Sequence, residues 1–166
     1  MTLFLPVITT SFSKNRQCCN LKCDKYQIKI DLNPGAIYQV YMFHPDGRVV
    51  VGSNTENGIT AGSAINFQPY TTPLGDWKCV GKNQIHIRTT GYNFQVSSSS
   101  TASTLYLADI LMNFTANCEN VSGTFKLWFF PLGSFLTDAN KQPSPDLSFR
   151  PIPITGRQLC LFEIRV

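Results

Sequence analysis

The chain has 166 residues, of which 43% are hydrophobic, 12% aromatic and only 14% charged, with a formal net charge of +4. That length suits one domain able to bury a core. So mild a charge, with no dense Lys/Arg run, gives no ground for a nucleic-acid partner, and no apolar run approaches the ~20 residues of a membrane-spanning helix.

The N-terminus, MTLFLPVITT, is apolar but lacks a basic leading segment and is interrupted by Pro6; it does not read as a secretory signal. Leu3–Leu5 with Val7 and Ile8 is expected to form a first strand or an arm packed on the domain, and Lys14, Arg16, Lys22 and Lys25 a solvated stretch. Tyr26, Ile28, Ile30 and Leu32 alternate with Gln27, Lys29 and Asp31, the signature of a half-buried strand. Asn33-Pro34-Gly35 is a turn. A strand over 36–43 meets Pro45-Asp46-Gly47 and returns over 48–52, a hairpin signal because Asp-Gly accepts the positive φ of tight turns.

Residues 53–63 are polar and small and predict a loop; Ala64–Pro69 is expected as a short strand or as the lip of a barrel mouth. The strand carrying Gly75-Asp76-Trp77 turns at Gly81-Lys82-Asn83 and returns as Gln84–Ile87. A serine run over 97–100, with Thr101 and Ser103, is a hairpin loop. Thr104–Ala116 is long enough for a helix, but its aromatic and β-branched members and the polar turn after it favour a strand. Gly123–Phe130 returns antiparallel. Residues 131–154 contain Pro131, Pro143, Pro145, Pro151 and Pro153 and read as a Pro-rich surface crossing, since proline cannot donate to a central ladder. Gln158–Val166 is the expected last strand, closing on an early one.

The sum is an all-β fold: a single antiparallel meander β-barrel of about eight strands, one domain over 1–166, with 1–33 as N-terminal arm and first strand. A barrel of that size is just wide enough for packed side chains or one small ligand.

Six cysteines are present, at 18, 19, 23, 79, 118 and 160, with two histidines. Cys19 and Cys23 have a spacing seen in zinc sites, but no second paired cluster exists, so no metal is expected. Free thiols in an intracellular, cytoplasmic protein are the default expectation. Asn113-Phe-Thr115 and Asn120-Val-Ser122 are glycosylation sequons, a pattern common by chance. No phosphate-binding glycine loop, Gly-x-Ser-x-Gly elbow or HExxH occurs.

The candidate acid–base residues are Asp109 and His86. Asp109 is flanked by Leu107, Ala108, Ile110 and Leu111, surroundings in which a carboxylate is either paired or raised in pKa. His86 lies between Ile85 and Ile87 on the opposite face. If the isoleucines point inward, His86 and Arg88 face solvent, and Asp109 pairs across strands with a cation such as Lys126 or Arg165; a polar lumen inverts this and makes His86 a general acid or base. Tyr38, Tyr41, Trp77, Tyr106, Trp128 and Phe129 are the candidate ligand-contacting aromatics, though aromatics fill any sheet core.

Gly75-Asp76-Trp77 resembles the Gly-x-Trp motif of lipocalin and other calycin barrels, which lipocalins carry on the first strand. A broader pattern is similar to small lipocalin-like or allene-oxide-cyclase-like barrels: Phe43-x-x-Asp46-Gly47 with Val49-Val50, Gly75-x-Trp77 with Gly81, Leu105–Phe114, Gly123-Thr-Phe, Phe129-Phe130-Pro131-x-Gly133 and Thr155-Gly156-Arg157. The resemblance implies a cup whose interior binds a small hydrophobic molecule, with the tryptophan plugging one end. It offers as alternatives a cofactor-free isomerase or cyclase, and a non-catalytic interaction protein with a filled barrel. No cofactor is expected; small barrels of this type often pair through their outer faces, which leaves a homodimer open.

Overall fold

In a computed structural model of the chain, residues 24–32, 35–58, 68–95, 102–136 and 149–160 are described. Eight antiparallel strands run in sequence order round one closed barrel: β1 (Lys25–Asp31), β2 (Ala36–Phe43), β3 (Arg48–Ser53), β4 (Leu74–Gly81), β5 (Gln84–Asn93), β6 (Thr104–Phe114), β7 (Asn120–Pro131) and β8 (Phe149–Gln158). β8 returns to β1 through five register pairs, Tyr26–Gln158 to Ile30–Ile154. The expected meander is therefore present and closed. The apolar arm expected over residues 3–8 and the short strand expected from Ala64 lie outside the described residues, the latter except for Gln68 and Pro69.

Closure gives the two-residue alternation a single meaning. Tyr26, Ile28 and Ile30 of β1, Tyr41 and Phe43 of β2, Val49 and Val51 of β3, Ile85 and Ile87 of β5, and Ile110 and Met112 of β6 are all buried in one core. Their neighbours in sequence face outward.

The two ends differ. Hairpin turns 44–47, 82–83 and 115–119 close one pole, while the connections 32–35, 54–73, 94–103 and 132–148 leave from the other. The turn pole is plugged by aromatic rings. Tyr26 meets Phe114 edge-on at 5.1 Å and Phe43 at 6.0 Å, and Phe43 meets Trp77 at 5.7 Å. The Trp77 indole Nε1–H donates to the His44 carbonyl at 3.0 Å, and the Tyr26 hydroxyl to the Cys118 carbonyl at 2.9 Å. Gly75 explains its place two residues before Trp77: a Cβ there would collide with the Arg88 carbonyl of β5, so only glycine lets β4 coil that tightly against its neighbour.

Two expectations need correcting. Among the described residues the last strand is Phe149–Gln158, inside the supposed Pro-rich crossing; of the strand expected over Gln158–Val166, Leu159 and Cys160 are not in a strand and residues 161–166 lie outside the described residues. Pro151 and Pro153 are tolerated because the β1–β8 ladder ends at Ile30–Ile154; beyond it β8 is paired only with β7, and a proline missing its N–H on an unpaired side loses no bond. The cysteines are not free either. Cys79, Cys118 and Cys160 are each disulfide-bonded, and no described cysteine is free. Distant in sequence, all three come to the turn pole, at the end of β4, in the β6–β7 turn and just after β8.

The outer wall carries a row of alternating charge. Arg48, Asp76, Arg88, Asp109 and Lys126 stand opposite one another in register across β3 to β7. Asp109 receives Arg88 Nε at 3.0 Å and His86 Nε2 at 2.9 Å. With Arg88 largely exposed, a double-mutant cycle on Arg88→Ala and Asp109→Asn in urea should give a coupling of only about 0.5–1 kcal/mol.

Candidate functional site

Toward the pole of long connections the core opens into a cavity of about 80 Å3. Its walls are mainly apolar, from Ile30, Ile37, Val51, Ala108, Phe125, Leu127 and Ile152. Polar groups enter from Gln39, Tyr41, Thr55, Tyr70, Thr89, Asn93 and Tyr106, with Gln68 also in the lining. Among the described residues no carboxylate, histidine, lysine or arginine lines it.

The polar groups form a connected cluster. The Tyr41 hydroxyl donates to Gln39 Oε1 at 2.8 Å. The Tyr70 and Thr55 hydroxyls are 2.6 Å apart, and Thr55 and Ser53 3.0 Å. Tyr106 donates its hydroxyl to the Thr71 carbonyl at 3.2 Å and packs edge-on to Tyr70 at 5.9 Å. Gly91 makes room for this arrangement, because a Cβ there would strike the Tyr106 hydroxyl and crowd Thr71 Oγ1 at 2.7 Å. Among the described residues no buried side-chain polar atom lacks a hydrogen-bond partner, so the wall is held in place before any ligand arrives.

Burial raises the phenol pKa of Tyr41, Tyr70 and Tyr106, with the neighbouring phenols adding to the shift at Tyr41 and, from Tyr70, at Tyr106. At neutral pH the site is a neutral hydroxyl–amide surface set in an apolar cup.

Of the residues proposed from sequence, Tyr41, Tyr106 and Phe129 line the cavity. Tyr38 is 45% exposed on the outer face of β2. Trp128 faces Leu107 across β6–β7, whose partner positions alternate with the inward pair Tyr106–Phe129. Trp77 points inward but sits at the plugged pole. His86 and Asp109 meet each other, outside the barrel wall, opposite in facing to the buried Ile85, Ile87, Ala108 and Ile110; neither reaches the cavity. Asp109's bonded partners are His86 and Arg88, with Lys126 opposite it in register and Arg165 outside the described residues. Gln39, Thr55, Tyr70 and Thr89 were not singled out. Gln39 and Thr89 carried a signal, as polar side chains on the Ile37, Tyr41, Phe43 face of β2 and on the Ile85, Ile87 face of β5.

No family model matches the chain, and no curated protein or solved structure matches it either.

The phenols supply a pH test. Tyr26 is raised to about 12 by burial, and Tyr41, Tyr70 and Tyr106 are raised as well. Below about pH 10 these groups are protonated in both folded and unfolded chains and add no pH dependence. Above it the unfolded chain loses protons first, so it binds fewer than the folded chain and stability falls as pH rises. Urea midpoints should be flat in this respect up to about pH 10 and fall beyond it, with Tyr26→Phe removing the part of the fall between its unfolded and folded pKa values.

Proposed function

We propose that the barrel is a binding protein for a small, neutral hydrophobic molecule, which inserts one end into the cup and offers a hydroxyl or carbonyl to the Gln39–Tyr41 and Thr55–Tyr70 pairs. The observation that carries this reading is the uncharged polar cluster on one side of an otherwise apolar cavity. A few placed polar groups in an apolar lining are the usual means by which such sites fix orientation.

Size narrows the ligand. Whole drug-sized molecules occupy roughly 300–1,000 Å3, and a cavity of about 80 Å3 is well below that. The enclosed part suits a short alkyl or small-ring end, with the remainder at the mouth. A cofactor-free isomerase or cyclase is less well supported. It would use an acid or base facing the reacting atoms, and among the described residues the ionisable groups lining this cavity are phenols held protonated by burial. The kinship with lipocalin-like or allene-oxide-cyclase-like barrels remains part of this proposal, resting on the closed eight-stranded meander. Cytoplasmic residence was expected from an N-terminus that does not read as a secretory signal and from free thiols; the three oxidised cysteines support an oxidising compartment instead.

Native mass spectrometry of the protein from its source cells should reveal a co-purified small neutral molecule. Ala108→Leu, which fills the cavity from β6, should abolish its binding while leaving the fold intact by circular dichroism. Tyr70→Phe should weaken it by about tenfold, the worth of one hydrogen bond of ~1–1.5 kcal/mol. Binding unchanged in a folded Ala108→Leu protein would remove the cavity from the function.

A further inference from the structure

The two sequons acquire a meaning that the sequence alone does not give them. Asn113 ends the outer face of β6 and Asn120 begins β7; both are exposed. They flank the 115–119 turn and stand on neighbouring strands, Asn113 opposite Ser122 in register. Between them lies Cys118, 6% exposed and disulfide-bonded. The acceptor asparagines and the oxidised cysteines therefore share the turn pole.

We propose that Asn120 carries an N-linked glycan, added in the secretory pathway of a eukaryotic cell. This rests on the oxidising-compartment reading above and deepens it. In the transfer, Asn120 Nδ2 forms a bond to the anomeric carbon of an oligosaccharide. The bond from that carbon to a polyprenyl diphosphate breaks, the lipid diphosphate leaves, and the amide nitrogen gives up one proton to the transferase. The hydroxyl of Ser122, two residues on, completes the acceptor sequence.

Four observations favour Asn120. Its side-chain amide makes no hydrogen bond among the described residues, its place in the turn being held by its backbone: Thr115 N–H donates to the Asn120 carbonyl at 3.0 Å, and Asn120 N–H to Thr115 Oγ1 at 3.1 Å. A bulky group on Nδ2 thus breaks no hydrogen bond among the described residues. Asn113 differs, because its Oδ1 accepts from Gln84 Nε2 at 2.6 Å. Val121 beside Asn120 is buried, so Asn120 is directed away from the core. Finally, the cavity opens at the far pole, and a glycan here leaves the mouth clear. Asn113 and Asn120 are diagonal neighbours, about 7–8 Å apart in such ladders, so a glycan on one crowds the other and Asn120 is the occupied site.

The test is the mass of the intact protein from its source cells, before and after peptide N-glycosidase, with alkylation of unreduced thiols in parallel. The expected result is a glycan-sized fall in mass, aspartate in place of asparagine at position 120, and no alkylation of Cys79, Cys118 or Cys160. Ser122→Ala keeps Asn120 and the fold, and should lose the modification. An unmodified Asn120 in protein whose cysteines resist alkylation overturns the glycan and spares the compartment. Alkylated cysteines overturn both. A modification that persists in Ser122→Ala overturns the sequon as its cause.

Discussion

Everything in this architecture depends on the pairing of β1 with β8. Five register pairs, from Tyr26–Gln158 to Ile30–Ile154, turn an open meander into a closed wall. Without them two strands would present rows of unsatisfied backbone groups and invite pairing with other chains. With them, one face of every strand is inside. The same seam also ends where the cavity begins. Beyond Ile30–Ile154 the ladder between β1 and β8 stops, and Leu32 and Ile152, just past that point, line the cavity. Pro151 and Pro153 are compatible with this local edge and would not be with a ladder continued on both sides.

Charge is sorted by the same wall. A carboxylate turned into the narrow cup would lose its hydration with nothing ionic to replace it. On the outside Asp109 has His86 and Arg88 within hydrogen-bond distance and keeps contact with water, its side chain 22% exposed. The apolar residues around it in sequence belong to two different environments: Ala108 and Ile110 to the core, Leu107 and Leu111 to a half-buried outer surface. Inside, polarity is confined to hydroxyls and amides, which can satisfy one another without charge.

The strands were legible because alternation and Gly/Asn turns are local signals, and β2 to β7 lie close to where those signals put them. The site was legible only in part. Tyr38 and Tyr41 are three apart in one strand, and Trp128 and Phe129 are adjacent; a period of two forbids either pair from sharing a face. Which member points inward depends on closure, a property of the whole sheet. Thr55 and Tyr70 lie outside the named strands, and nothing in the local pattern brings them together. β8 was hidden by prolines whose cost depends on a neighbour's length. The cysteines, 39 and 42 positions apart from 79 to 118 to 160, converge on one pole only because successive hairpins return the chain there.

A division of labour between the poles follows from the lengths of the connections. Short turns hold the strand ends together, and the space between them is filled by Tyr26, Phe43, Trp77 and Phe114 in edge-to-face contact. Such a pole is filled from within by its own side chains. At the opposite pole, where three of the four connections are longer, the core gives way to Gln39, Tyr41, Thr55 and Tyr70 with a gap beside them. Filling that gap with an aliphatic side chain would have added core burial. The sequence instead places a small residue, Ala108, against the gap and glycine at position 91 beneath the Tyr106 hydroxyl. Burial alone gives no reason for a polar, underfilled pocket held in so complete a hydrogen-bond pattern, and the proposed recognition of a small neutral group would supply one.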